Sequence, residues 1–393
     1  MPPLVFRKGL DLKHEVAHLL AESYHSDFVA TVRAQDHQHT SGRLTVHLAR
    51  EFGFCYGVDR AIDYAYQTCR RFPDRRVFLT GEIIHNPHVN RQLRDKGVRF
   101  LTDVEEQATE ISEQDIVILP AFGVPIDLLT QLESRGCTLV DTTCGSVLNV
   151  WKNVRRYARD GFTSIIHGKF WHEETRATAS QALHAGDGRY LVVLDREQAG
   201  IACDYIRQGG AADAFLQRFN QAASPNFHPD RDLQRVGCAN QTTMLSSESL
   251  EIGEMFRSAM ADRYGAADLS QRFRTFDTIC SATQDRQDAM TVLLDEHPLD
   301  LVLVLGGYNS SNTKNLARMC VGRLPVFHIA SPDCLLSDSE IAHRPPEGDG
   351  EVITTGWLPQ AGPLAVGLTS GASTPDNLVA DVIHRLSALA NPI

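Results

Sequence analysis

The sequence predicts an α/β protein whose sheets are mainly parallel. Short β-branched runs alternate along the chain with amphipathic stretches of helix length. The strongest strand candidates, such as DIVILP and LDLVLVLGG, are apolar throughout, as a strand covered by helices on both faces reads. Apolar content of 42% and charged content of 22% belong to an ordinary globular chain.

In chain order, the first 46 residues read as a separate helical extension. It holds five histidines, none set in a metal motif with a cysteine, so they read as solvated surface. The strand candidates then begin with RLTVHL at Arg43, RVFLT at Arg76, DIVILP at Asp115, CTLVDT at Cys137 and TSIIHG at Thr163. YLVVL at Tyr190, RVGCAN at Arg235, LDLVLVLGG at Leu299, LPVFHIA at Leu324 and LAVGLTS at Leu364 follow. Among the stretches after them, Val58–Arg71, Val147–Arg159, Thr283–Glu296 and Pro375–Leu389 have helical periodicity. At about 150 residues per domain, 393 residues make two or three domains. No low-complexity segment or clear linker separates them.

Charge and composition exclude several classes. The 38 basic and 49 acidic residues leave a net charge of −11, which argues against non-specific nucleic-acid binding but permits a local anion pocket. The longest apolar runs, such as Leu301 to Leu305, fall far short of a membrane span. The start MPPLVFRKGLDLKHEVAHLL lacks a long apolar core and a small-residue cleavage site, and it is too acidic for a transit peptide. A cytoplasmic location is the expectation, and the nine cysteines are then reduced thiols rather than disulfides.

Three of those cysteines share one context. Cys55, in LAREFGFCYGVDRAIDYAY, lies between Gly53 and Gly57 where a strand passes into a helix. Alone it reads equally as a buried packing thiol in a tight turn or as a ligand. Cys144 in CTLVDTTCGSVLNVW and Cys280 in FRTFDTICSATQDRQDAM repeat the pattern, 144 − 55 = 89 and 280 − 144 = 136 residues apart. Ligands of open α/β sheets gather beyond the carboxyl ends of the strands, so three such turns are able to bring three thiols to one point. Zinc is one occupant, although the C-x-x-C pairs common at zinc sites are missing; an iron–sulfur cluster with one iron left open is the other. Cys69, Cys137, Cys203, Cys238, Cys320 and Cys334 lack the turn context and read as packing.

The motifs GFCYGVDRAI, EIIHNPHVN, VDTTCGSV, IIHGKFWHEETRATAS, NQTTML, TICSATQDRQDAM, GGYNSSNTKNL and LTSGASTPDNLV occur in this order between Leu44 and Leu389. In them the chain resembles the 4-hydroxy-3-methylbut-2-enyl diphosphate reductase family, which acts last in the methylerythritol phosphate route to isoprenoids. The HGK..HEET.ATAS form and the amino-terminal extension resemble its plant and cyanobacterial branch. The resemblance implies a trefoil of three α/β units around a central iron–sulfur cluster. These are 47–143 with Cys55, 144–272 with Cys144 and 273–393 with Cys280, after the extension 1–46. It implies one [4Fe-4S] cluster per chain, held by these three cysteines, with one open iron as a Lewis acid. It further implies a reductive dehydroxylation of the allylic alcohol to isopentenyl and dimethylallyl diphosphates. The implied electron donor is a ferredoxin or flavodoxin, with no nucleic-acid or membrane partner.

YNSSN opens a helix after a strong strand, where hydroxyl and amide donors join free backbone N–H groups in an anion site or an ordinary cap. The resemblance makes Ser310, Ser311 and Asn312, with Ser373 of SGAST, ligands of the substrate diphosphate. It adds His85 of EIIH and His172 of FWHEET, whereas His88 and His167 stay structural. Glu174 falls at the family's acid position and is expected to give the departing hydroxyl its proton. Glu173 reads as its solvated neighbour. Thr242 matches the hydroxyl that orients the substrate alcohol and relays that proton, with Thr243 as the alternative.

Two residues depart from the family pattern. Phe122 stands in AFGV where many bacterial relatives have a diphosphate-contacting histidine, and Gly145 stands where proline usually follows the cysteine. Neither touches a cluster ligand or the acid. Competing functions are a three-cysteine zinc hydrolase, a non-catalytic iron–sulfur sensor and a nucleotide-binding protein. GGYNSSN has neither G-x-G-x-x-G nor the P-loop lysine pattern, which makes the last the weakest.

Overall fold

The computed structural model describes residues 4–103, 111–184, 186–276 and 278–391. All ten strand candidates form strands, and the four helix candidates become Tyr56–Arg71, Gly145–Arg159, Ser281–Glu296 and Asp376–Ala390. The first two start before the expected residue because Cys55 and Cys144 are themselves the N-caps. The chain divides into two compact units, each made of two stretches: 1–7 with 101–280, and 8–100 with 281–393.

In the 1–7/101–280 unit a parallel sheet runs in the order Phe273–Thr275, Val236–Asn240, Thr163–His167, Tyr190–Val193. Its two central strands are buried at every residue, which accounts for sequences that are apolar or small up to their last residues, His167 and Asn240. The helices Arg196–Gln208 and Ser246–Tyr264 cover it through Ala202, Ile206, Phe256 and Met260. Gly237 is needed where the sheet meets Tyr157, since a Cβ there would lie 2.7 Å from the ring. Three more parallel strands, Val5–Phe6, Thr138–Asp141 and Ile116–Leu119, sit side by side in that order.

In the 8–100/281–393 unit the main sheet runs Val326–Ile329, Leu301–Leu305, Leu364–Ser370, Leu44–Leu48, Gln38–Ser41. The first four strands are parallel and the last is antiparallel. Leu301, Leu303, Leu305, Val366, Leu368 and Val46 form its core with Val382, Ile383 and Leu386 of the carboxyl-terminal helix. Val77–Leu79 pairs with Arg99–Phe100, and Glu340–His343 forms an antiparallel ribbon with Val352–Thr355.

The first 46 residues hold two helices, Lys13–Tyr24 and Asp27–Ala34, and two edge strands that the sequence did not announce. Val5–Phe6 is only two residues long, and Gln38–Ser41 has no apolar residue, so neither carries a periodic signal. Among the described residues no helix is long and apolar enough to cross a membrane.

Candidate functional site

The 8–100/281–393 unit knots three turns together. Gly306 and Gly307 end the Leu301–Leu305 strand, and Gly371 to Ser373 follow the Leu364–Ser370 strand. His85 lies in the turn before the helix Pro87–Asp95. Ser373 Oγ donates to the His85 carbonyl at 3.2 Å, and Asn312 Oδ1 accepts from Ala372 N at 3.1 Å. Crowding calls for glycine at both positions: a Cβ on Gly307 would lie 2.5 Å from the His85 carbonyl oxygen, and one on Gly371 2.0 Å from the Thr313 side-chain Oγ1.

Ser310 caps the helix Ser311–Arg318, its Oγ accepting from Thr313 N at 3.3 Å. That uses one hydroxyl and leaves donors over. Asn312 is 2% exposed and its Nδ2 is buried without a partner, a group that costs free energy unless an acceptor meets it. An anion at this helix start would supply such an acceptor. His85 Nδ1 donates to Glu82 Oε2 at 2.7 Å. The Cys55 turn joins the cluster of turns, because Cys55 N donates to the Ala372 carbonyl at 3.1 Å.

The 1–7/101–280 unit holds the acid. Glu174 lies in the first turn of the helix Glu173–His184 and is 1% exposed, while Glu173 beside it faces solvent. Both Glu174 oxygens are engaged by one residue: Oε1 accepts from Thr242 N at 2.6 Å and Oε2 from Thr242 Oγ1 at 3.0 Å. Thr243 is turned to Gln241 instead, whose Nε2 donates to its Oγ1 at 2.8 Å. Glu174 N donates to His172 Nδ1 at 3.1 Å, which leaves the ring proton of neutral His172 on Nε2. The Phe122 ring stands edge-on to His172, 5.7 Å between centroids.

Cys144 and Cys280 are anchored by the same turns. Cys144 N donates to the Ala121 carbonyl at 2.9 Å, next to Phe122, and Cys280 N to the Thr242 carbonyl at 3.4 Å. Asn240 N donates to Thr278 Oγ1 at 2.9 Å and fastens the Cys280 segment further. The thiols divide by environment. Cys137, Cys203, Cys238, Cys320 and Cys334 are buried, and burial pushes the Cys203 and Cys320 thiols up to about 12 and Cys238 higher still. Burial also raises Cys69, to about 11. Cys69, Cys203, Cys238 and Cys320 are thereby held protonated, whereas Cys55, Cys144 and Cys280 remain partly accessible, and the first two cap helix starts where negative charge is favoured.

His167 and His88 take structural places, His167 Nδ1 against Ser249 Oγ at 2.8 Å and His88 Nε2 against the Gln92 amide at 3.0 Å. Gln241 carries no signal of its own in the sequence, yet its Oε1 accepts from Lys169 N and Thr175 Oγ1 and braces the loop that carries His172. Its place in the motif NQTTML is the one hint of this role.

Parallel α/β layers with thiols, a buried carboxylate and hydroxyl- and amide-bearing turns at the strand ends define a ligand-binding α/β protein of enzyme type. Residues 46–387 match the model of the LytB protein family, and the chain belongs to that family. It is 51% identical over 391 residues to a 4-hydroxy-3-methylbut-2-enyl diphosphate reductase of Gloeobacter violaceus, covering 98% of this chain and 92% of that relative. A Synechococcus sp. RCC307 protein of the same name is 48% identical, over 98% and 93%.

Among solved structures, one of (E)-4-hydroxy-3-methyl-but-2-enyl diphosphate reductase, the terminal enzyme of the non-mevalonate pathway, aligns with TM-score 0.51 and 25% identity. The alignment covers 87% of this chain and 98% of that one. The Plasmodium falciparum E-1-hydroxy-2-methyl-but-2-enyl-4-diphosphate reductase shares the fold, with TM-score 0.62 and 20% identity over 88% of each chain.

Proposed function

We propose that the chain reduces (E)-4-hydroxy-3-methylbut-2-enyl diphosphate to isopentenyl and dimethylallyl diphosphates, the last step of the non-mevalonate route to isoprenoids. Two electrons and two protons enter, the allylic C–O bond breaks, and water leaves. The observation that carries this reading is near-full-length identity of about half to relatives of that name, on a chain whose buried Glu174 has both oxygens on Thr242.

The residues fit an iron–sulfur cluster, because Cys55, Cys144 and Cys280 alone combine a strand-to-helix turn with partial access, and burial holds Cys203, Cys238 and Cys320 protonated. The division into units 47–143, 144–272 and 273–393, one cysteine each, belongs to the same reading. When bound, a [4Fe-4S] cluster supplies electrons and one Lewis-acid position. The protein does the rest. His85, His172, Ser310, Ser311, Asn312 and Ser373 hold the diphosphate, with the orphaned Asn312 amide as one donor. Thr242 orients the substrate alcohol through its hydroxyl, and Glu174 delivers the proton to the departing oxygen. A small one-electron carrier, a ferredoxin or flavodoxin, supplies the electrons, and the enzyme works in the cytoplasm.

Anaerobic iron and sulfide analysis with a visible spectrum, followed by turnover with a strong artificial reductant, tests this reading. A brown protein that converts the substrate supports it. A colourless zinc protein, or a brown one without turnover, overturns it in favour of a hydrolase or a sensor respectively.

A further inference from the structure

The turn that ends in Cys55 is held from three sides by groups that the reaction itself does not call for. Gly53 adopts φ +86°, and a Cβ there would lie 2.6 Å from Asp376 Oδ1, so the carboxylate presses on bare backbone. Arg33, from the second helix of the extension, pairs with Asp376 through both terminal nitrogens, Nη1 to Oδ2 at 3.0 Å and Nη2 to Oδ1 at 3.2 Å. Its Nη2 also donates to the Phe52 carbonyl at 3.3 Å, and its guanidinium lies 4.3 Å over the Phe52 ring.

Arg286 takes the next carbonyl. It lies in the helix Ser281–Glu296 and donates from Nη2 to Gly53 O at 2.7 Å and from Nη1 to Ala282 O at 2.8 Å. The side chain is 3% exposed, its Nε has no partner, and among the described residues no carboxylate pairs with it. Burying an unpaired guanidinium is expensive, and such a charge persists where something negative repays it. Asp376 is close enough to feel Arg286 but is already engaged twice by Arg33. Arg33, Arg286 and Asp376 sum to one surplus positive charge behind the Cys55 turn, and burial pushes the nearby Asp59 carboxyl up toward its neutral form, which limits how far it offsets that charge.

We propose that Arg286, backed by the Arg33–Asp376 pair, is a positioning residue that fixes the Cys55 turn and raises the reduction potential of the cluster that Cys55 helps to hold. The inference rests on the reading of Cys55 as a cluster ligand. A thiolate-held cluster becomes more negative on reduction, so a buried cation at the backbone of its ligand turn favours the reduced form. The amino-terminal extension thereby takes part in the chemistry, because its Arg33 occupies Asp376, which would otherwise neutralise Arg286.

The test uses the full-length, anaerobically reconstituted protein and its Arg286→Gln, Arg286→Lys and Arg33→Gln variants. Each is assayed for iron and sulfide and titrated potentiometrically with detection of the reduced cluster. Arg286→Gln should favour the oxidised form about tenfold, a midpoint lower by about 59 mV for a one-electron couple. Arg286→Lys should recover most of that shift, and Arg33→Gln should lower the midpoint in the same direction by freeing Asp376. A folding defect in the buried Arg286→Gln variant leaves the decision to Arg33→Gln, whose residue is partly exposed. Iron-loaded variants that titrate at the parental potential overturn the proposal while leaving the enzyme reading intact. A parent without any cluster overturns the enzyme reading itself.

Discussion

Replacing Glu174 with glutamine isolates the proton from everything else the side chain does. The carboxylate makes two hydrogen bonds, from Thr242 N at 2.6 Å and Thr242 Oγ1 at 3.0 Å. Glutamine has the same length, and its carbonyl oxygen goes on accepting from Thr242 N. Its amide then donates to the Thr242 hydroxyl, which reverses its role from donor to acceptor. The second amide hydrogen and the Thr242 hydroxyl proton then need other acceptors, so folding stability should fall by about 1–3 kcal/mol where they find none, a loss that a denaturation curve reads separately from turnover. What disappears is the transferable proton. General acid catalysis contributes about 10²- to 10⁴-fold, or about 2.7–5.5 kcal/mol of barrier. Turnover in Glu174→Gln should fall on that scale, with iron content and substrate affinity near parental values. The assay is anaerobic turnover with an artificial reductant, beside iron analysis and a binding isotherm. Glu173→Gln is the control, since that side chain faces solvent. Near-parental turnover in Glu174→Gln, or collapse in Glu173→Gln, would refute the assignment of the proton donor.

Three further outcomes follow from the same geometry. Asn312→Asp keeps the acceptor for Ala372 N but turns the orphaned amide donor into a carboxylate oxygen, which would repel the proposed diphosphate. Substrate affinity measured calorimetrically should then drop at least about tenfold to a hundredfold, the worth of a charge-assisted hydrogen bond or more. Cys144→Ser should strip most of the iron and all turnover, whereas Cys238→Ala, which alters a buried protonated thiol, should leave the visible spectrum unchanged. Burial pushes the His328 imidazole down to about 4 while its Nε2 donates to Gly306 O at 2.9 Å. The folded state keeps it neutral and the unfolded chain protonates it below about 6.5. Its contribution is therefore complete above that pH and is lost as pH falls through about 4, by about 3 kcal/mol. Denaturation midpoints between about pH 7 and 4 should show this slope, and a His328→Gln variant should show a flatter one.

Much was legible without coordinates because some signals are local. An unbroken, short run such as Leu301–Leu305 between turn residues reads as a strand covered on both faces, and the structure buries all five residues. The thiols at strand-to-helix turns, the Ser310–Asn312 donors and the Glu174 motif are each written in fewer than ten adjacent residues. The edge strands Val5–Phe6 and Gln38–Ser41 escaped because pairing with a neighbour, rather than their own composition, makes them strands.

The sequence by itself thus determined the layer type, the turn position of the three thiols and the hydroxyl cap at Ser310, because backbone period and turn chemistry depend on near neighbours. Only the tertiary structure decided which hydroxyl serves Glu174: Thr242 and Thr243 are chemically identical, and Gln241 claims one of them. It also decided that Asn312 keeps an unspent donor, that Gly307 must yield to the His85 carbonyl, and that Arg286 lies against Gly53, 233 residues away. Contacts across such separations are set by how strands and helices stack, and nothing in the order of adjacent residues encodes them.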